Sequence, residues 1–272
     1  MAVHRTVKAQ PTRLGAVTYL NARPLVYGLQ ADARRFSIRF DVPAMCAALL
    51  HDRTVDVGLI PSIEYLHRHD YFIVPDVAVA SNGTVASVAL FTSRPVSSIR
   101  TIAVDTSSRT STMLLRILCA RHFHIDPELR QTPPDLTTML DRCDAAMLIG
   151  DPALLADPVA LGVQKIDFGE QWRAMTGLPF VYAFWAGWSD ALDADDVVRL
   201  REAKMAGAAH VEDVARDYFG RDAARVAIGA RYLTENVSFD LQEAEQEGLR
   251  RFYGLAADLG FVANAGVLRF YT

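Results

Sequence analysis

From Leu14 onward the chain repeats one pattern, a short apolar run followed by a stretch with helical spacing, and that alternation admits few folds. Leu14 to Val17 reads as a strand, Pro24 to Gln30 as a helix, Phe36 to Phe40 as a strand, Pro43 to His51 as a helix and Val55 to Ile60 as a buried strand. Prolines 24, 43 and 61 each fall at or near the first position of an expected helix, where a missing N–H leaves no bond unmade. The series predicts an α/β layered architecture. With 272 residues and 51% hydrophobic composition, the chain can bury one large core or two of ordinary size.

Between Val74 and Ser93 the texture changes to β-prone runs, Val77 to Ala80 and Val85 to Thr92, separated by the strong turn signal Ser81-Asn82-Gly83. A second βα series follows: Thr101 to Val104 as strand, Thr110 to His122 as helix, Pro134 to Leu140 as a short helix and Ala145 to Ile149 as strand. Phe180 to Ala186 is β-prone again, and from Asp190 to about Leu259 the chain is helical and charged, with the apolar spacing of helices that cover a sheet. The runs at 85–92 and 180–186 therefore bracket an inserted lobe. Residues 1–94 with 187–272 are expected to form the first lobe and 95–186 the second, with a hinge and a ligand cleft between them.

Net charge is −4 and the 28 basic residues are scattered, so no nucleic-acid partner is expected. Met1 to Thr12 carries His4, Arg5 and Lys8 without a continuous apolar stretch, and no run reaches membrane-spanning length. The expectation is a soluble, cytoplasmic protein without a membrane partner. Cys46, Cys119 and Cys143 read as buried free thiols. The close histidine pairs, His67 with His69 and His122 with His124, lack partners at zinc-site spacing, and no metal is expected.

Polar residues concentrate where strands should end, the place where open α/β sheets bind ligands. In Thr18 to Leu25, Asn21 and Arg23 fall near a helix start, as anion contacts or, for Asn21, as a cap. In Gly58 to Tyr65, Ser62 is placed to donate to a ligand, and Glu64 is either a general base or a helix-start carboxylate favoured by the dipole. In Ser81 to Ser87, Ser87 is a hydroxyl within an apolar run, either filler or a group aimed at the cleft. Asp105 to Thr112 is dense in hydroxyls and opens an apolar helix beside Arg109, which makes a good carboxylate receptor. Gly150 permits close approach of a ligand, and Asp151 either joins it or caps the next helix.

Taken in order, Thr18-Tyr-Leu-Asn21-Ala-Arg-Pro24-Leu, Asp56-Val-Gly-Leu-Ile-Pro-Ser62-Ile-Glu-Tyr65, Gly83-Thr-Val-Ala-Ser87, Thr106-Ser-Ser-Arg-Thr-Ser111, Pro134-Asp-Leu, Asp144 to Asp151 and Thr176 to Val181 resemble the menaquinone-pathway chorismate dehydratase family. The likeness runs from about residue 13 to 186, with a looser helical tail. It implies a type 2 periplasmic-binding-protein-like fold, with the first lobe made of both chain ends, and the dehydration of chorismate to 3-[(1-carboxyvinyl)oxy]benzoate. By motif position, Asn21 and Ser87 match the catalytic polar residues, and Ser107, Thr110 and Ser111 match the substrate-carboxylate site. Gly83, Arg109, Gly150 and Asp151 join Ser62 as substrate-binding candidates. Thr84 departs from the family's more usual proline. Arg23 stands at a variable position, so its role as an anion contact is an inference from chemistry alone.

Loss of water from chorismate makes an aromatic ring and calls for no redox cofactor; the task is to hold a dianion, help a hydroxyl leave and accept a ring proton. The substrate's own enolpyruvyl carboxylate is the expected proton acceptor, with Glu64 as the protein-side alternative. Two rival readings share the fold: a non-catalytic carboxylate-binding protein, disfavoured by the missing export stretch, and the related 1,4-dihydroxy-6-naphthoate synthase, whose opening segment resembles Ser-Pro-Cys-Pro-Asn-Asp-Thr more than Thr18 to Leu25.

Overall fold

In the computed structural model, which describes residues 10–272, two five-stranded mixed sheets carry the chain. The first comprises β1 (Thr12–Val17), β2 (Phe36–Asp41), β3 (Val57–Pro61), β4 (Tyr71–Ser81) and β10 (Phe180–Trp188), in the order β2-β1-β3-β10-β4. The second comprises β5 (Val88–Thr92), β6 (Thr101–Asp105), β7 (Glu128–Thr132), β8 (Ala145–Ile149) and β9 (Gln164–Asp167), in the order β7-β6-β8-β5-β9. In each sheet four strands share one direction and one returning strand pairs antiparallel to both its neighbours, so β10 closes the first sheet and β5 enters the second. His4, Arg5 and Lys8 lie outside the described residues.

The expected lobe boundary at 94/95 falls too late. β5 pairs with β8 and β9 in the second sheet, and β10 lies between β3 and β4 in the first, so the chain leaves the first sheet after Ser81 and re-enters it at Phe180. The reason is physical: β5 is buried along its whole length and needs neighbours on both sides, and a β-prone run does not announce which sheet will supply them. The segment 82–87, not the strand after it, is the crossover.

Helix α1 (Pro43–His51) begins with Pro43 at its first turn, as expected. Pro24 instead lies inside a 3-10 turn, Leu20–Val26, and Pro61 closes β3 just before a second 3-10 turn, Ser62–His67. Both turns are too short and tight to present an α-helical N-terminus. In the second sheet, α2 (Thr110–Leu118) follows β6, α3 (Leu136–Arg142) follows β7, α4 (Gly150–Leu155) follows β8, and α5 (Phe168–Thr176) follows β9. The charged tail forms α6 (Ala194–Ala209), α7 (Val211–Phe219), α8 (Ala223–Glu235) and α9 (Glu243–Asp258). Alternation along β10 sends Phe184 and Ala186 into the core shared between the two sheets, and Ala183 and Trp185 into the core beneath α6 and α8. The tail helices thus cover the first sheet. No helix among the described residues is long and apolar enough to cross a membrane. Cys46, Cys119 and Cys143 are free and buried, and burial pushes the Cys46 and Cys119 thiols up to about 12.

Candidate active site

The C-terminal ends of β1 and β3 face those of β6 and β8 across a cavity between the sheets. Each parallel strand delivers a loop to this cleft, the geometry by which open α/β sheets gather polar groups. Asn21 and Ser87 line it from one side; Ser108, Arg109, Thr110 and Ser111 line it from the other, with Gly150 beside them.

On the first wall, Asn21 Nδ2 donates to Tyr232 Oη at 3.1 Å, and Tyr232 Oη lies 2.7 Å from Ser87 Oγ. Tyr232 stands on α8 and is 2% exposed; burial pushes its hydroxyl well above the usual tyrosine range, outweighing the opposing bonds to Ser87 and Asn21, so it stays protonated. Tyr232 Oη accepts from Asn21, while between Tyr232 and Ser87 either hydroxyl can donate; where Tyr232 is the donor, the Ser87 proton is free for a group in the cavity. Sequence reasoning missed Tyr232, because α8 reads as a covering helix 145 residues from Ser87.

Ser87 is presented by a tight turn. Its N–H bonds back to Val85 O at 2.7 Å around Ala86, which has φ of 61°, an uncommon value for a residue with a side chain. Asp167 holds this turn, accepting from Val85 N at 3.0 Å and Ala86 N at 2.7 Å while also capping α5 through Gly169 N and Glu170 N. One carboxylate therefore fixes the backbone on both sides of the crossover. Thr84, the departure from the family pattern, bonds to Glu170 Oε1 at 2.6 Å.

The opposite wall is less fully bonded. Ser108 Oγ is buried without a partner at the approach to α2, where the helix's free N–H groups favour an anion. Thr110 Oγ1 accepts from Ile63 N at 3.2 Å, and Arg109 is exposed at the rim. Ser107 does not line the cavity: it donates to Asp105 Oδ1 at 2.7 Å and meets Tyr19 Oη at 3.2 Å across the lobes. Ser108, the neighbour of an expected residue, is the hydroxyl that remains available.

Several other expected contacts have different employment. Ser62 is fully buried and donates to Val181 O at 2.8 Å. Gly83, at φ of 118°, forms the turn and accepts from Ser81 Oγ. Asp151 accepts from Leu20 N at 3.2 Å and from Tyr218 Oη, which ties α4 to the first lobe; burial pushes its carboxyl up despite these bonds. Gly150, at φ of 61°, lets the Tyr19 ring approach so closely that a Cβ would stand 2.7 Å from it. Arg23 points away from the cleft, stacked on Phe40 and bonded to Thr18 O, because the 3-10 turn carries it to the opposite side of the loop from Asn21.

Glu64 also lies outside the cleft, so it is not the base for a ligand held there. Its Oε2 accepts from His51 Nε2 and His67 Nδ1, each at 3.0 Å, in a separate cavity. Burial would raise its carboxyl, but His51, His67 and Arg109 together hold it below the usual glutamate range. Where no metal-ligand set was expected, the fold brings these three side chains together from α1 and the turn after β3.

A family model described as menaquinone biosynthesis matches residues 12–258. A curated chorismate dehydratase of Thermus thermophilus is 30% identical over 260 residues, spanning 89% of this chain and 94% of that protein. Among solved structures, a protein of Archaeoglobus fulgidus superposes with a TM-score of 0.76 at 17% identity, covering 93% of this chain and 99% of that one. The periplasmic aliphatic sulphonate binding protein of Escherichia coli follows at 0.70 and 16% identity, covering 97% and 93%. Those structures show the periplasmic-binding-protein-like fold, and the fold alone.

Proposed function

The chain belongs to the menaquinone biosynthesis family, and on that premise we propose that its cleft dehydrates chorismate to 3-[(1-carboxyvinyl)oxy]benzoate, the first step of futalosine-dependent menaquinone biosynthesis. It is a hydro-lyase. The observation that carries the site assignment is the Tyr232 hydroxyl joined to both Asn21 and Ser87, which line the same cavity as a buried hydroxyl, Ser108 Oγ, that has no protein partner. One wall is ready to act on a leaving hydroxyl, and the other is ready to receive a carboxylate.

In this reading the start of α2 holds one carboxylate through Ser108, Thr110 and Ser111, with Arg109 adding positive charge at the rim. With Tyr232 as its donor, Ser87 donates in turn to the departing hydroxyl, and Asn21 holds Tyr232 and the ring edge. The proton is taken from the ring by the substrate's enolpyruvyl carboxylate. Support for a substrate-borne base is that the described residues lining the cavity include no aspartate, glutamate or histidine. A Glu64→Gln variant that lost turnover while still binding chorismate would restore a protein-side base. A cytoplasmic site of action is supported by the three unpaired cysteines, as expected of a reducing compartment.

Incubating the purified chain with chorismate tests the activity. Loss of the chorismate ultraviolet spectrum with equimolar appearance of the enolpyruvyl benzoate is expected; chorismate recovered unchanged after hours would make the cleft a binding site only.

A further inference from the structure

The side chains of His51, Glu64 and His67 converge at a point outside the proposed cleft, with one potential ligand atom from each lying within 4.8 Å of the others. His51 ends α1, while Glu64 and His67 stand three residues apart in a 3-10 turn, where positions i and i+3 eclipse and so face the same way. We propose that these three residues bind a divalent transition cation, of the kind zinc represents, as a two-histidine, one-carboxylate site.

The donor set is that of neutral imidazoles with a carboxylate, which suits zinc and its first-row neighbours over magnesium or calcium. The distances fit. Both ring nitrogens lie 3.0 Å from Glu64 Oε2, and ligands at about 2.1 Å from a tetrahedral or octahedral ion stand roughly 3.0–3.4 Å apart. His51 is oriented from behind by Tyr71 Oη, 2.7 Å from its Nδ1, an outer-shell partner that can donate to this nitrogen or accept from it. In the structure His51 Nε2 and His67 Nδ1 donate to Glu64; cation binding displaces both protons, leaving His51 protonated on Nδ1, toward Tyr71, and His67 on Nε2. Glu64 is 6% exposed, so the carboxylate is held in place and little screened by water.

The site opens on a solvent-connected cavity lined also by His69, Met113 and Asn264, which leaves room for water in the remaining positions. Arg109, exposed, lines both this cavity and the cleft, and its charge competes with a cation for Glu64. Because the cation joins α1 to the turn Ser62–His67, and Ile63 of that turn bonds to Thr110 of α2, it would staple the first lobe beside its contact with the second.

Zinc titration of the chelator-treated full chain, in competition with a chromophoric chelator and followed by thermal melts, tests the site. One zinc per chain and a raised melting temperature are expected. His67→Ala and Glu64→Gln should each weaken binding by about tenfold or more and abolish the rise in melting temperature, whereas His122→Ala, remote from the cluster, should change neither. His67 has a side chain 62% exposed, so its variant should keep the native circular dichroism spectrum. Absence of stoichiometric binding to the parent chain, or binding untouched by both substitutions, would overturn the proposal.

Discussion

Across the cleft, Asn21, Tyr232 and Ser87 are already bonded to one another on the wall built by the first lobe and the crossover, whereas on the facing wall Ser108 Oγ is buried with no protein partner. The first wall also carries a strained backbone, Ala86 at φ of 61°, clamped by Asp167; the second is the ordinary start of a helix. Groups that must meet a developing charge gain from being fixed in advance, since no reorganisation is then needed as the bond breaks. Groups that only receive a carboxylate can wait for it, because the ligand itself completes their hydrogen bonding. On the proposed reaction, the contrast gives rate to one wall and affinity to the other.

The strongest test of that division is Ser87→Ala, which should lower kcat about 10²- to 10³-fold with KM changed far less, read by steady-state kinetics on chorismate. A rise in KM alone would merge the two walls into one binding site. Ser108→Ala should do the reverse, raising KM by about tenfold or more through loss of a hydrogen bond to a charged group while kcat stays within a few-fold.

Tyr232→Phe should sit between the walls in kind and below them in size. It removes the bridge and leaves both end groups, so kcat should fall by about tenfold and unfolding stability by about 1 kcal/mol, measured by denaturant melts. Loss of stability without loss of rate would make Tyr232 a core residue only.

The smallest effect is expected at the tie between lobes. Asp151 has a folded-state pKa raised above its ordinary 3.8 by burial, so the folded protein holds this proton more tightly than the unfolded chain does. Its contribution to stability is therefore fully present below 3.8 and is lost as pH rises through the raised value. Asp151→Asn should remove that dependence, so the stability of the parent relative to the variant should decline with rising pH across this window. A difference independent of pH would mean the carboxyl is not perturbed in the folded state.

Local pattern was enough to place β1, β2, α1, β6 and β8, because each is a run whose apolar period and flanking turns leave one reading. It could not assign β5 to its sheet, since pairing partners lie more than fifty residues away at β8 and beyond. The site was legible in the same measure. Asn21, Ser87, Thr110 and Ser111, singled out by motif order, all line the cleft. Among adjacent serines, however, nothing in the sequence says that Ser107 bonds to Asp105 and leaves Ser108 open. Tyr232 and the His51–Glu64–His67 cluster depend on tertiary contacts, and Arg23 was misplaced because a 3-10 turn rotates successive side chains differently from the helix expected there.

The most direct test of the central claim is a crystal structure of the Ser87→Ala variant soaked with chorismate. The account predicts the substrate between the two sheets, one carboxylate within hydrogen-bond reach of Ser108, Thr110 or Ser111, and the ring hydroxyl beside residue 87 and Asn21. Chorismate bound elsewhere, above all in the cavity beside Glu64, or with its ring hydroxyl beyond hydrogen-bond reach of both positions, would contradict it.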